Sequence, residues 1–178
     1  MTLLRCLVPI LFVVFLPARA AEPPSRAAVA SAHPLASAAG MEVMDAGGNA
    51  FDAAVAVSAA LTVVVPNGSG LGGGGFWLLH RAEDRFETFV DGRERAPLAA
   101  SADMYLDENG APITKASREG PLAAGVPGLP AALVHMAETY GALPLAQNLA
   151  PAIRLAREGY PLYPRLRTGL TYRRDLLA

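Results

Sequence analysis

The segment Val63–Glu94, VVVPNGSGLGGGGFWLLHRAEDRFETFVDGRE, combines a glycine-dense turn, two apolar runs and a charged end. Four consecutive glycines, Gly72 to Gly75, come directly before the strongly apolar run Phe76-Trp77-Leu78-Leu79. Flexibility alone does not explain glycines beside an apolar strand, because glycine also permits close approach of backbone or ligand. We therefore expect close packing at this turn, with the rest of the domain organised around it.

The two apolar runs of this segment predict a β-hairpin. The first run extends from Gly75 to His80 and the second from Arg85 to Val90, with the turn Ala82-Glu83-Asp84 between them. A connection this short permits only antiparallel pairing of the two strands. The hairpin then ends at the charged residues Asp91-Gly92-Arg93-Glu94, where side chains could point into a site.

Upstream of the hairpin the sequence predicts a short strand and two helices. Residues 27–31 are the strand candidate, and a helix begins at His33-Pro34 and ends at Gly47-Gly48. Asn49 can cap a second helix that carries Asp52 in its first turn, where a carboxylate interacts favourably with the helix dipole. This second helix is apolar nearly all round and should be buried.

Downstream of the hairpin the sequence predicts an irregular crossing followed by helices. Residues 98–117 are irregular, and residues 130–140 form a helix. A helical stretch from Leu145 is interrupted at Pro151, which suits the first turn of a new helix over 152–158, and another helix begins beyond Pro164. The order of elements predicts an α+β fold in which helices cover an antiparallel sheet.

Residues 1–20 have the features of a secretory signal peptide. Arg5 precedes the uninterrupted apolar run Leu7 to Leu16, and Ala18-Arg19-Ala20 fits a cleavage site. The alternative, a transmembrane anchor, needs a longer run than ten residues to cross roughly 30 Å of hydrocarbon. We expect residues 21–26 to be a linker, residues 27–178 to be the exported domain, and the product to be periplasmic or secreted with no stable membrane anchor.

Export would leave a domain without cysteine and with a mildly acidic balance. Cys6, the only cysteine, lies within the predicted signal peptide, so no thiol chemistry is available to the product. Residues 1–20 contain two arginines and no acids, so 15 − 2 = 13 basic residues remain against 16 acidic ones. This balance argues against a nucleic-acid partner.

Common catalytic and cofactor motifs are missing from the sequence. It has no G-x-S-x-G, no phosphate-binding P-loop and no cluster of metal-ligand residues, so we expect neither a metal nor another cofactor. Gly68 to Gly73 matches G-x-G-x-x-G, but a dinucleotide site requires that a helix N-terminus follow the glycines. Here the strand-like Phe76-Trp77-Leu78-Leu79 follows, so the match is attributed to glycine density.

Arg93 is the one plausible anion-binding residue. Its planar fork of donors suits bidentate binding of a carboxylate at the end of a strand. The alternative is a surface arginine that pairs with Asp91 or Glu94, and such a pair is worth at most about 1 kcal/mol. The spacing of the residues alone favours this second interpretation.

Several blocks of the sequence, in order, resemble the γ-glutamyltranspeptidases. The resemblance covers residues 27–165, and its specificity comes from the number of blocks and their order. The blocks are Gly47-Gly48-Asn49-Ala50-Phe51-Asp52-Ala53-Ala54-Val55-Ala56, Pro66 with Gly70-Leu71-Gly72-Gly73-Gly74-Gly75-Phe76, Asp91-Gly92-Arg93-Glu94-Arg95-Ala96-Pro97, Gly125-Val126-Pro127-Gly128, Tyr140-Gly141 and Pro151 to Gly159.

The resemblance implies the fold of the N-terminal-nucleophile hydrolases, an αββα sandwich of which this chain holds only the N-terminal portion. Such enzymes are made as exported precursors that cleave themselves into a large and a small subunit. The threonine exposed at the start of the small subunit attacks a γ-glutamyl amide such as glutathione, and the glutamyl group passes to water, an amino acid or a peptide. This chain would then be the N-terminal part of the large subunit, and its partner would be the small-subunit half.

The resemblance also assigns site residues. Arg93 matches the arginine that holds the α-carboxylate of the γ-glutamyl group, and this match reverses the preference drawn from spacing. Asp91 and Glu94 are then expected to orient Arg93 and the hairpin. The family's cleavage site lies beyond Ala178, so we expect no catalytic residue in this chain and no turnover by the chain alone.

Two alternatives remain open at the level of sequence. A related exported acylase or poly-γ-glutamate processing enzyme would share the fold but differ in the leaving group or the acceptor. A non-catalytic exported binding module would have kept the scaffold after losing the half that carries the nucleophile.

Overall fold

The computed structural model describes residues 27–177, so the predicted signal peptide over 1–20 and linker over 21–26 lie outside the described residues. The elements follow one another as two helices, a hairpin, a long irregular crossing and further helices. They are α1 (Pro34–Asp45), α2 (Ala50–Val64), β1 (Phe76–Arg81), β2 (Phe86–Asp91), α3 (Leu129–Tyr140), α4 (Leu145–Glu158), α5 (Pro164–Tyr172) and α6 (Arg174–Leu177). The mixed helix and strand content agrees with the predicted α+β class.

Helix α2 is the centre of the fold and packs against α1, α3 and α4. Val55, Ala56 and Ala60 are fully buried, as the apolar pattern of this helix predicted. Alanine at many of its positions brings the neighbouring helices close, since small side chains shorten the distance between helix axes. The predicted cap is also confirmed, because the Asn49 side chain accepts hydrogen bonds from the N–H groups of Phe51 and Asp52.

A buried carboxylate joins the start of α2 to the turn between α3 and α4. Asp52 is 0% exposed, and its two oxygens accept hydrogen bonds from the backbone N–H groups of Asn49, Ala142 and Leu143 and from Nδ2 of Asn148. Burial would raise the pKa of the Asp52 carboxyl, but these hydrogen bonds to its ionised form together lower the pKa below its ordinary value. Residues about ninety positions apart are thereby fixed together.

The hairpin has the predicted antiparallel pairing. Its register pairs Trp77 with Val90 and Leu79 with Thr88 on the face that meets the helices. Nε1 of Trp77 donates to Oγ of Ser58 on α2 at 3.2 Å, which fixes this face to the helical layer. In the part of the chain that the structure describes, the sheet has two strands.

The opposite face of the hairpin is open and apolar. Phe76, Leu78 and Phe89 are 53%, 80% and 58% exposed, and the rings of Phe76 and Phe89 stack with their centres 5.6 Å apart. Large apolar side chains gathered on one exposed face commonly mark a surface that another element covers.

Two predictions of secondary structure were wrong. Residues 27–31 do not form a strand, since no segment within 27–177 pairs with them. Helix α4 is continuous through Pro151, which was expected to interrupt it. Proline removes one backbone hydrogen bond inside a helix, but Pro151 is buried together with Ala152 on a helix that packs against α2, and that packing offsets the loss.

No helix among residues 27–177 combines the length and the apolar character needed to cross a membrane.

Candidate functional site

The candidate functional site lies at the end of the hairpin, around Arg93. The ladder extends one step past the named strands, because Gly75 and Gly92 exchange N–H···O bonds of 3.1 and 3.0 Å. Exposure alternates along this segment: Val90 and Gly92 are buried toward the helices, whereas Asp91 and Arg93 are exposed. Arg93 therefore stands at the edge of the same open face that carries Phe76.

Glycines hold the backbone of Arg93 from two sides. A Cβ added at Gly74 would collide with the carbonyl oxygen of Gly92 and lie 2.8 Å from Cα of Arg93. A Cβ added at Gly128 would collide with the same carbonyl oxygen and lie 2.6 Å from the carbonyl oxygen of Arg93. The expectation of close backbone approach at the glycine turn is confirmed, and the approaching backbone is that of the arginine.

The start of α3 completes this clamp. The N–H groups of Gly128 and Leu129 donate to the carbonyl oxygen of Gly73 at 3.2 and 3.0 Å. The first N–H groups of a helix have no acceptor inside the helix. Here the carbonyl oxygen of Gly73, in the glycine turn, is the acceptor for two of them. The glycine turn, the hairpin end and α3 thus form one connected unit around Arg93.

The two acidic neighbours of Arg93 hold different positions. Oδ1 of Asp91 accepts a hydrogen bond from the backbone N–H of Arg93 at 3.0 Å, so Asp91 fixes the main chain at this residue. The carboxylate of Glu94 lies over the glycine turn, with Oε2 2.8 Å from a Cβ built at Gly74. The roles of Asp91 and Glu94 in orienting the arginine side chain stay predictions.

The guanidinium of Arg93 is exposed and forms no ion pair with an acid among the residues that the structure describes. Its Cζ lies 6.0 Å from the centre of the Phe76 ring, a distance at which a cation is attracted to the face of an aromatic ring. The arrangement presents a fork of donors beside an apolar surface. This arrangement is suited to binding a carboxylate of a substrate.

Two clefts lie beside the segment that carries Arg93. One, of about 340 Å³, is lined by Arg93, Arg95, Met104, Tyr105 and Leu122 among others. The other, of about 350 Å³, lies against α3 and is lined by Asp91, Arg93, Arg95 and His135 among others. Within residues 27–177 no group of three potential metal ligands occurs.

Sequence reasoning did not identify Arg95 or Gly128 as part of this site. Arg95 is fixed by a pair of backbone hydrogen bonds with Val126, of 3.1 and 2.8 Å. The sequence around Val126-Pro127-Gly128 indicates the start of a helix, but nothing in it shows that this start packs against the hairpin end. The only signal for Arg95 in the sequence is its own basic side chain, two positions after Arg93.

Comparison with solved structures first gives the class of protein. The chain is similar to γ-glutamyltranspeptidase from Helicobacter pylori, with a TM-score of 0.80 and 44% identity, covering 84% of this chain and 42% of that chain. Fold and sequence together define the class, that of the transpeptidase-type enzymes. The γ-glutamyltranspeptidase family model matches residues 36–178, and the chain belongs to the γ-glutamyltranspeptidase family.

Relatives with known names support the same assignment. The glutathione hydrolase proenzyme of Pseudomonas sp. (strain A14) is 49% identical over 134 residues, covering 75% of this chain and 23% of that protein. The Acylase ACY 1 proenzyme of Pseudomonas sp. (strain V22) is 42% identical over 153 residues, covering 83% of this chain and 27% of that protein. The chain thus spans about a quarter of the length of these relatives.

Proposed function

We propose that residues 27–178 are the N-terminal part of the large subunit of an exported γ-glutamyltranspeptidase. The complete enzyme cleaves γ-glutamyl amides such as glutathione and transfers the glutamyl group to water, amino acids or peptides through an acyl-threonine. The observation that carries this proposal is Arg93, whose backbone is clamped and whose guanidinium lies exposed beside Phe76. The family of the chain supports the choice of substrate.

In this proposal Arg93 binds the α-carboxylate of the γ-glutamyl group through two parallel hydrogen bonds. Fixing that carboxylate fixes the position of the γ-carbonyl, so the amide is presented to the nucleophile in one orientation. Asp91 and the glycines contribute by holding the main chain, which fixes the point from which the Arg93 side chain reaches the substrate. The threonine that attacks the amide comes from the small-subunit half of the precursor, and this chain alone does not turn over substrate.

The open face of the hairpin supports the proposed sandwich. Phe76, Leu78 and Phe89 are covered, in this proposal, by strands from the remainder of the precursor, which complete the αββα arrangement. Arg93 stands at the edge of that face, so the substrate would lie between this chain and its partner half. Residues 1–20 direct the precursor to the periplasm or the exterior and are then removed.

The experiment measures glutamate released from glutathione by the full-length protein that contains this chain, and by its variant Arg93→Lys. Lysine keeps the charge but loses the bidentate fork, so we expect the KM for glutathione to rise on the order of tenfold. Arg157→Lys, at an exposed arginine in the last turn of α4, is the matched control and should leave the KM unchanged.

The outcomes separate the competing functions. An unchanged KM in Arg93→Lys removes Arg93 from substrate binding. A purified, folded full-length protein that cleaves neither glutathione nor a glutaryl amide favours the non-catalytic binding module.

A second candidate function is amide hydrolysis by an acylase, favoured by the 42% identity with the Acylase ACY 1 proenzyme. A glutaryl amide keeps the carboxylate of a γ-glutamyl amide and lacks only the α-amine, so it still offers Arg93 a carboxylate and differs from glutathione at the amine and in the leaving group. Faster hydrolysis of a glutaryl amide than of glutathione would select the acylase. The opposite order supports the transpeptidase.

A further inference from the structure

Arg95 shares both clefts with Arg93 and has no role in the function proposed above. Its backbone is fixed by the two hydrogen bonds with Val126, so its Cα has a defined position relative to Arg93. Both arginines line both clefts, so each cleft is bordered by two cationic side chains from one short segment.

The acid between the two arginines, Glu94, lines the first cleft with them but forms no ion pair with either. Glu94 packs over the glycine turn, with Oε1 3.3 Å from a Cβ built at Gly73 and Cβ 3.1 Å from one built at Gly125. Arg95, like Arg93, forms no ion pair with any acid in the described part of the chain. The pair therefore retains two positive charges that a ligand can use.

The cleft on the side of the irregular crossing has a mixed lining. Met104, Tyr105 and Leu122 contribute apolar surface to the cleft that the two arginines line, and the hydroxyl of Tyr105 donates to the carbonyl oxygen of Leu122 at 3.2 Å. A cleft with two cations and apolar surface suits a ligand with two carboxylates joined by an uncharged middle.

We propose that Arg95 binds a second carboxylate, the one at the C-terminus of a γ-glutamyl peptide, while Arg93 binds the α-carboxylate at its other end. This inference rests on the proposed function and adds a substrate class to it. The preferred donors are γ-glutamyl peptides with a free C-terminal carboxylate, and donors with uncharged leaving groups bind less well. Arg95 is thus a specificity determinant, and the bond-breaking step is unchanged.

The test compares glutathione with glutathione whose C-terminal carboxylate has been converted to a carboxamide. The full-length protein should show a higher kcat/KM for the free acid by about fivefold, the size expected for one exposed arginine–carboxylate pair. Arg95→Gln should reduce this ratio to about one, and Arg95→Lys should restore part of it. Higher ionic strength should also reduce the ratio in the unaltered protein.

Arg157→Gln is the matched control for removal of an exposed positive charge and should keep the ratio. Equal kcat/KM values for acid and carboxamide in the unaltered protein overturn the inference, as does a ratio that survives in Arg95→Gln. A failure of the proposed function looks different, because then neither donor is cleaved. Should Arg95→Gln fold poorly, the Arg95→Lys variant and the salt dependence still decide the question.

Discussion

Replacing Asp52 by Asn should destabilise the fold strongly, because the substitution puts a donor where two donors already point. One carboxylate oxygen accepts from Asn49 and Ala142, at 2.9 and 2.8 Å, and the other from Leu143 and Asn148, at 3.3 and 2.8 Å. An asparagine side chain keeps one acceptor and gains an NH₂ group. In either orientation the NH₂ faces two N–H groups that now donate to the buried carboxylate.

The expected loss follows from those two donors. A buried donor left without an acceptor costs about 1–3 kcal/mol, so we expect the free energy of unfolding to fall by about 3 kcal/mol. For a protein of this size that corresponds to a fall of about 6–12 °C in the Tm. Asp45→Asn, at an exposed residue that ends α1, should change the free energy of unfolding by less than about 0.5 kcal/mol.

The stability lost in Asp52→Asn should also depend on pH. The folded protein lowers the pKa of Asp52, so its contribution to stability is present above the unfolded value of about 4 and is lost as the pH falls through the folded value. Urea unfolding at pH 7 and near pH 3 should show a large difference between the original protein and Asp52→Asn at the higher pH and a smaller one at the lower. Equal stability of Asp52→Asn and Asp45→Asn at pH 7 would refute the reasoning.

Two further predictions concern the glycine turn and the last helical connection. Gly74→Ala would collide with the carbonyl oxygen of Gly92 and should lower the free energy of unfolding by about 1–3 kcal/mol, whereas Gly72→Ala, with open space around it, should change it by less than about 0.5 kcal/mol. Equal thermal unfolding of these variants would contradict the clamp. Tyr163→Phe removes the hydroxyl that donates to the carbonyl oxygen of Val64 at 2.9 Å and should cost about 1 kcal/mol in urea unfolding. An unchanged free energy of unfolding in Tyr163→Phe would mean that water replaces the hydroxyl.

Local signals in the sequence predicted local structure well. Asn49 was predicted to cap α2, and the structure contains this cap, to which Asp52 adds the reciprocal bond of a capping box. The two apolar runs with a short turn gave the hairpin and its antiparallel pairing. These features depend on residues within a few positions of one another, and the sequence displays such residues directly.

The failures came from contacts between distant parts of the chain. Pro151 is a helix breaker by local rules, but packing on α2 keeps α4 continuous. Residues 27–31 have the composition of a strand but lack a pairing partner among the described residues. The clamp of Gly128 on the hairpin end joins segments about 35 residues apart and has no local pattern.

The candidate site was predicted only in part. The chemistry of arginine and its place at a strand end pointed to an anion, but the spacing of Asp91 and Glu94 equally allowed a surface ion pair. The resemblance to a family decided between these interpretations. The structure adds that Glu94 lies over the glycine turn and that Arg95 shares the clefts of Arg93, neither of which follows from residue order.

The most direct test of the account asks whether Arg93 recognises the α-carboxylate of a γ-glutamyl donor. The measurement is kcat/KM of the full-length protein for a γ-glutamyl anilide and for the same compound with its α-carboxylate converted to a carboxamide, before and after Arg93→Gln. We expect the original protein to prefer the carboxylate by at least about tenfold and Arg93→Gln to lose that preference. A preference that persists in Arg93→Gln would contradict the central claim.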